Sequence, residues 1–107
     1  MSTRKDREEF IATMTTEGMP LDTIRRIMRN ATTIQRLAVK DCNDGLTDGD
    51  RIRERMARVR IIDLAYPHGC TAVFSGDPRG ACTKLMVPSG KTNDWGNTGI
   101  CVPTTKY

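Results

Sequence analysis

A short polar segment in the last third of the chain has the composition of an anion-binding turn. Asp77-Pro78-Arg79-Gly80 lies between two apolar runs. In a type I turn, Asp accepts hydrogen bonds from the backbone that follows it, Pro presets φ at the second position, and Gly relieves the last. Such a turn does not require Arg79, whose planar guanidinium can hold a phosphate or a carboxylate bidentately. The segment is therefore either a structural hairpin alone or a hairpin whose tip binds an anion.

Other polar groups in the same third of the chain extend this hypothesis. Lys84 and Lys91 add cationic donors, and Asn93 adds an amide. Trp95 is the only tryptophan and lies in a loop-forming sequence, where an aromatic ring can stack on a nucleobase or anchor a partner. A tryptophan that covers the core fits the same sequence. The sequence thus predicts a binding face made of Arg79, Lys84, Lys91, Asn93 and Trp95. Its partner is an anionic ligand, either a nucleotide or a nucleic acid, or a protein with an acidic surface.

A second set of polar residues fits a helix-turn-helix motif. In this interpretation a first helix covers residues 20–29, Asn30 lies at the turn, and a recognition helix opens at residue 32. Thr32, Gln35 and Arg36 would then contact base edges and phosphates of DNA. The turn lacks its usual glycine, and one unbroken amphipathic helix explains the same apolar stripe. A DNA-binding regulator that uses these three residues is the alternative function.

The cysteines and the single histidine give little support for metal binding or catalysis. Structural zinc sites usually contain closely spaced ligand pairs, and Cys42, Cys70, Cys82 and Cys101 contain none. We therefore expect reduced thiols, no metal and no other cofactor. His68 precedes Cys70 by two residues, so a strand would place the two side chains on one face as base and nucleophile. A cysteine-based enzyme is thus a third hypothesis, and we predict a non-enzymatic protein.

Three helices are predicted to precede this β-rich segment. Apolar residues recur at helical spacing over residues 4–16, 20–40 and 48–64. Thr47 and Asp50 have the spacing of a capping box that opens the third helix. The apolar residues that we expect this helix to turn toward the core are Ile52, Met56, Val59 and Ile62.

Short runs rich in β-branched and apolar residues follow at 70–75, 81–87 and 100–102, and each is bounded by Gly or Pro. We predict an antiparallel meander. The fold class is therefore α+β, with about three N-terminal helices packed on a small three-stranded antiparallel sheet. The length of the chain supports one domain, with a helical part at 1–66 and a β-rich part at 67–107.

The composition excludes several functional classes. The chain has 107 residues, 37% hydrophobic and 28% charged, with a formal net charge of +4. No apolar run approaches the roughly 18 to 20 residues that a membrane helix needs, and the N-terminal residues MSTRKDREEF are charged where a signal peptide is apolar. We expect a cytoplasmic protein without membrane contact. The mild excess of positive charge favours anionic partners.

The sequence also resembles a group of phage proteins. The stretch FSGDPRGACTKLMVPSGKTNDWGNTGICVP at 74–103, together with QRLAVKDCNDG at 35–45, is similar to small accessory proteins encoded by tailed phages and prophages. A GDPRG turn, a PSG turn and a WG…GI segment occur in this order in those proteins. The resemblance implies an accessory protein in the host cytoplasm that either counters host defence or redirects host machinery. Counter-defence would act by inhibiting or sequestering a host factor or a nucleotide signal. It implies no catalytic residues.

Overall fold

Three helices and a small sheet make up the described part of the chain. The computed structural model describes residues 4–77, 80–87 and 99–104. The elements in chain order are α1 (Arg4–Thr16), α2 (Leu21–Asn43), α3 (Asp48–Ala65), a 3₁₀ helix (Tyr66–His68), β1 (Thr71–Asp77), β2 (Gly80–Met86) and β3 (Gly99–Cys101). The predicted α+β arrangement is confirmed. Of the helices in the described ranges, none combines the length and the apolar character needed to cross a membrane.

The sheet is the predicted meander, with strand order β1-β2-β3 and both pairs antiparallel. The register pairs Asp77 with Gly80, so two residues separate the paired ends of β1 and β2. These two residues, Pro78 and Arg79, lie outside the described residues. Thr83, Leu85 and Val87 are buried on the face that meets the helices, while Cys82 is exposed on the other face.

Helix α2 is a single continuous helix of 23 residues. Pro20 precedes it in an extended conformation, where its missing N–H costs nothing. The helix ends at Asn43, beyond the predicted range of 20–40, and Gly45 follows with φ of +77°. The residues that α2 buries are Ile24, Ile27, Met28, Ala31, Thr32, Ile34 and Leu37. Their three- and four-residue steps form one continuous stripe, so α2 is anchored along most of its length.

The core contains side chains from all three helices and from the sheet. The largest fully buried side chains are Met14, Ile24, Ile27, Ile34, Ile61 and Leu85. Burying one such side chain stabilises a fold by about 1.5–3 kcal/mol relative to leaving it in water. Among the three helices, α1 buries the fewest side chains, namely Phe10 and Met14.

The predicted capping box at the start of α3 is confirmed. The backbone N–H of Asp50 donates to Oγ1 of Thr47 at 3.1 Å, and the backbone N–H of Thr47 donates to Oδ2 of Asp50 at 3.2 Å. Nζ of Lys40 lies 2.6 Å from the same Oδ2, which ties the last turn of α2 to the first turn of α3. The Lys40 hydrogen bond and the backbone N–H of Thr47 lower the pKa of Asp50 to about 2.

The prediction for the inward face of α3 was wrong. The four residues expected in the core are instead exposed: Ile52 by 65%, Met56 by 44%, Val59 by 42% and Ile62 by 45%. Helix α3 instead buries Ala57, Ile61 and Ala65. Apolar residues occupy two sides of this helix, and the periodicity alone does not select one of them. The side that faces the core carries the small residues Ala57 and Ala65, which allow neighbouring elements to approach the helix closely.

Candidate anion-binding groove

A groove of about 430 Å³ lies between α1 and α2, and arginines dominate its lining. This volume falls within the range of about 300–1,000 Å³ that is usual for small-molecule sites. The lining residues are Arg4, Arg7, Glu8, Ile11, Arg25, Met28, Arg29, Thr32 and Arg36. Five of these nine side chains are guanidinium groups and only one is a carboxylate, so the groove is positively charged.

The helical repeat explains why these arginines meet in one groove. On α2, Arg25, Arg29 and Arg36 follow a row with Thr32, at steps of four, three and four residues. Residues three and four apart lie on one side of a helix, so the row runs about 16 Å along α2 at 1.5 Å per residue. Arg4 and Arg7 face this row from α1, which crosses the same side of α2.

Few carboxylates neutralise these arginines within the described residues. Nε of Arg4 lies 3.1 Å from Oε1 of Glu8, in an exposed pair one helical turn apart. Such pairs contribute little to stability and exchange readily with other partners. Arg7, Arg25 and Arg29 form no ion pair with any residue that the structure describes. Their guanidinium donors are thus available to an anion.

The floor of the groove is apolar. Met28 is 6% exposed and Ile11 is half-buried against the core. Thr32 is also buried, and its hydroxyl donates to the carbonyl oxygen of Met28 at 3.0 Å within the helix. The groove therefore combines cationic walls with an apolar base.

A second groove on the other side of α1 has the opposite charge. It has a volume of about 320 Å³, and the charged residues in its described lining are Asp6 and Glu9. The remaining lining comes from α1 and from the segment around β3, including Ile100 and Val102. Because this groove repels anions, the arginine groove is the anion site that the described surface favours.

The predicted face in the β-rich third can be located only in part. Arg79, Lys91, Asn93 and Trp95 lie outside the described residues. Lys84 is half-buried on the sheet face turned away from the helices, and the register pairs it with Val73 of β1 and with Cys101 of β3. Whether these five residues form one site therefore stays a prediction.

The helix-turn-helix geometry was a wrong prediction, because α2 continues through Asn30 without a turn. The Asn30 side chain donates to the carbonyl oxygen of Arg26 at 2.8 Å, a bond within one helix. Thr32 is buried and Gln35 does not line the groove, while Arg36 does. DNA binding by Thr32, Gln35 and Arg36 stays a prediction, and Arg36 is the residue of the three that faces an open groove.

The cysteines do not form a nucleophilic site with histidine. Cys70 is buried, and desolvation, followed by the negative charge of Glu17, raises its pKa. This favours the thiol over the thiolate that a nucleophile needs. His68 ends the 3₁₀ helix and Gly69 follows with φ of +74°, so His68 and Cys70 do not share a strand face as expected. Among the described residues, no three His, Cys, Asp or Glu side chains are grouped as metal ligands.

The arginine groove has a signal in the sequence, but the predicted binding residues included only Thr32 and Arg36 of its lining. Spacings of three and four residues between Arg4, Arg7 and Glu8 and between Arg25 and Arg29 place these groups on one side of each helix. Only the packing of α1 on α2 brings the two sets together. Comparison of the chain with protein-family models, with curated proteins and with solved structures gave no match.

Proposed function

We propose that this protein is a non-enzymatic binding protein that holds a phosphate-bearing ligand of nucleotide type in the groove between α1 and α2. One observation supports this proposal above all others. Five arginines line a single groove of about 430 Å³, and its described lining includes one carboxylate, that of Glu8. Guanidinium groups bind phosphate oxygens bidentately and remain charged at any physiological pH.

The cationic walls and the apolar base of the groove together favour a nucleotide over a simple anion. A phosphate needs only the arginine walls, whereas a nucleobase or sugar needs an apolar surface such as that of Met28 and Ile11. Free nucleotides and single-stranded nucleic acids share this combination of phosphate and base. The common ligand chemistry is therefore a nucleotide unit.

The groove chemistry supports binding rather than catalysis. Arginine does not act as a general base, since it stays protonated. Glu8 is paired with Arg4, and the Thr32 hydroxyl already donates to the backbone of Met28. The described lining thus provides charge and apolar contact without a positioned nucleophile. A binding role agrees with the resemblance of this chain to phage accessory proteins. We propose that this protein acts by sequestering a host ligand.

Fluorescence anisotropy and calorimetric titration test this proposal. The ligands are mononucleotides and dinucleotides, a labelled single-stranded oligonucleotide and a labelled duplex. We expect Arg25→Ala and Arg29→Ala to weaken binding by about 1–2 kcal/mol each, which corresponds to a five- to thirtyfold loss of affinity. Binding to the oligonucleotide should weaken with salt, and each substitution should lower the salt slope by about 0.7–1.

Arg26→Ala provides a matched control. Arg26 lies between the two groove arginines in sequence, but it pairs with Asp22 at 3.1 Å and does not line the groove. This variant should keep the wild-type affinity. Equal losses for Arg26 and Arg29 would indicate non-specific attraction and contradict the proposal. Loss of binding with Arg79→Ala and Trp95→Ala, but not with Arg25→Ala, would place the site in the β-rich third instead.

A further inference from the structure

The outer side of α3 carries a row of exposed apolar side chains, which we call the outer stripe. Its members are Ile52, Met56, Val59 and Ile62 of α3, together with Tyr66, the first residue of the 3₁₀ helix that follows. They are exposed by 65%, 44%, 42%, 45% and 79%. They lie opposite the side that buries Ile61 and Ala65, so no element of the described fold covers them. A contiguous exposed apolar row of this kind marks an interaction surface.

The outer stripe is symmetric about its centre. Relative to Val59, the other members lie three and seven residues away on each side. Arg55 lies four residues before Val59 and Asp63 four residues after it. Neither charge takes part in an ion pair with any residue that the structure describes. The face therefore repeats its apolar pattern, and reverses its charge, when it is read backwards.

We propose that the outer stripe pairs with the same stripe of a second copy, in an antiparallel homodimer whose twofold axis passes close to Val59. A twofold interface uses one patch twice, so that patch must be complementary to itself. In an antiparallel pair Ile52 lies level with the partner's Tyr66, and Met56 lies level with the partner's Ile62. Arg55 lies level with the partner's Asp63, and this charge pair forms twice.

Other kinds of partner would leave one of these two charges without an opposite charge. An anionic membrane would attract Arg55 but repel Asp63, which borders the middle of the stripe. An acidic helix of another protein would likewise attract Arg55 and repel Asp63. Only a partner with a carboxylate where this chain has an arginine, and the reverse, satisfies both groups, and a second antiparallel copy has that arrangement. The stripe extends about 21 Å along the helix, so the interface is small and we expect micromolar association.

Analytical ultracentrifugation of the full chain tests the dimer over a series from low micromolar to millimolar concentration. The wild type should show a monomer–dimer equilibrium. Val59→Glu places two carboxylates at the axis and should give monomer throughout the series. Leu21→Glu is the matched control, because Leu21 is 44% exposed but lies at the start of α2, outside the stripe. This control should leave the equilibrium unchanged.

A charge-reversal cycle tests the antiparallel register. Arg55→Asp and Asp63→Arg should each raise the dimer dissociation constant by about tenfold, because like charges then face each other across the axis. The double variant should return to within about threefold of wild type. Both positions are exposed, so circular dichroism should show an unchanged fold in all three variants.

Four results would overturn the proposal. The first is a wild type that stays monomeric over the whole series. The second is a dimer that persists in a folded Val59→Glu variant, since the contact would then lie elsewhere. The third is a double charge variant that associates more weakly than either single variant. The fourth is a monomer that binds phosphatidylserine vesicles and loses this binding in Val59→Glu, which would assign the stripe to a membrane surface.

Discussion

The two adjacent isoleucines of α3 test how this helix packs. Ile61 is fully buried, with 0% exposure, whereas Ile62 is 45% exposed. Both become alanine by loss of the same atoms in the same helix. The gain in helix propensity is therefore equal and cancels in the comparison. The difference in stability between Ile61→Ala and Ile62→Ala thus reports the packing alone.

The expected magnitudes follow from burial. Ile61→Ala leaves a cavity in the core, and such a change costs about 2–5 kcal/mol. Ile62 already keeps nearly half of its surface in water, so we expect Ile62→Ala to cost less than about 1 kcal/mol. For a domain of this size the difference corresponds to a gap in Tm of about 10–20 °C.

Urea unfolding followed by circular dichroism measures both values. The outer stripe buries Ile62 in the proposed dimer, so the comparison belongs at low protein concentration or in the Val59→Glu background. Equal destabilisation by the two substitutions would refute the packing described for α3. A larger loss of stability in Ile62→Ala would support the orientation predicted from the sequence, in which Ile62 faces the core.

Three further predictions concern the helix junction and the thiols. The folded-state pKa of Asp50 is lowered from 3.8 to about 2, so its ion pair with Lys40 stabilises the fold above about pH 4. This contribution should vanish as the pH falls toward 2. The urea midpoints of wild type and Asp50→Asn should therefore converge over this pH range. Thr47→Ala should cost about 1 kcal/mol in the same unfolding assay, since it removes the acceptor for an orphan N–H of α3. Alkylation by a maleimide, followed by mass spectrometry, should label the exposed Cys42 and Cys82 quickly and the buried Cys70 only on unfolding. Cys101 should react more slowly than Cys42, because desolvation and the neighbouring Cys82 raise its pKa.

Local signals in the sequence were sufficient to predict the order and type of the elements. Apolar spacing located three helices, and the Thr47 and Asp50 pair marked the start of α3. The Asp77 to Gly80 segment marked the β1–β2 hairpin, because turn chemistry depends on only a few adjacent residues. These features could be predicted since each is decided within one element.

Features decided between elements could not be predicted in this way. Helix α3 has apolar residues on opposite sides, and only its packing in the assembled core, which buries Ala57, Ile61 and Ala65, distinguishes the two sides. The arginine groove requires Arg7 and Arg29 to meet across α1 and α2. The absence of a turn at Asn30 depends on continuous packing along α2, which overrides the local hint of a break.

Helix α1 is held to the rest of the fold by fewer buried side chains than α2. It is anchored by two buried side chains, whereas α2 buries seven and runs about 35 Å through a molecule 39 Å long. Amide hydrogen exchange should therefore be slowest in the middle of α2, where only global unfolding exposes the backbone, and faster in α1, which can detach separately. Since Arg4 and Arg7 of α1 form one wall of the groove, each such detachment also opens the groove. A bound ligand that bridges both walls would slow exchange in α1 selectively, and the residence time of the ligand would be linked to the docking of this helix.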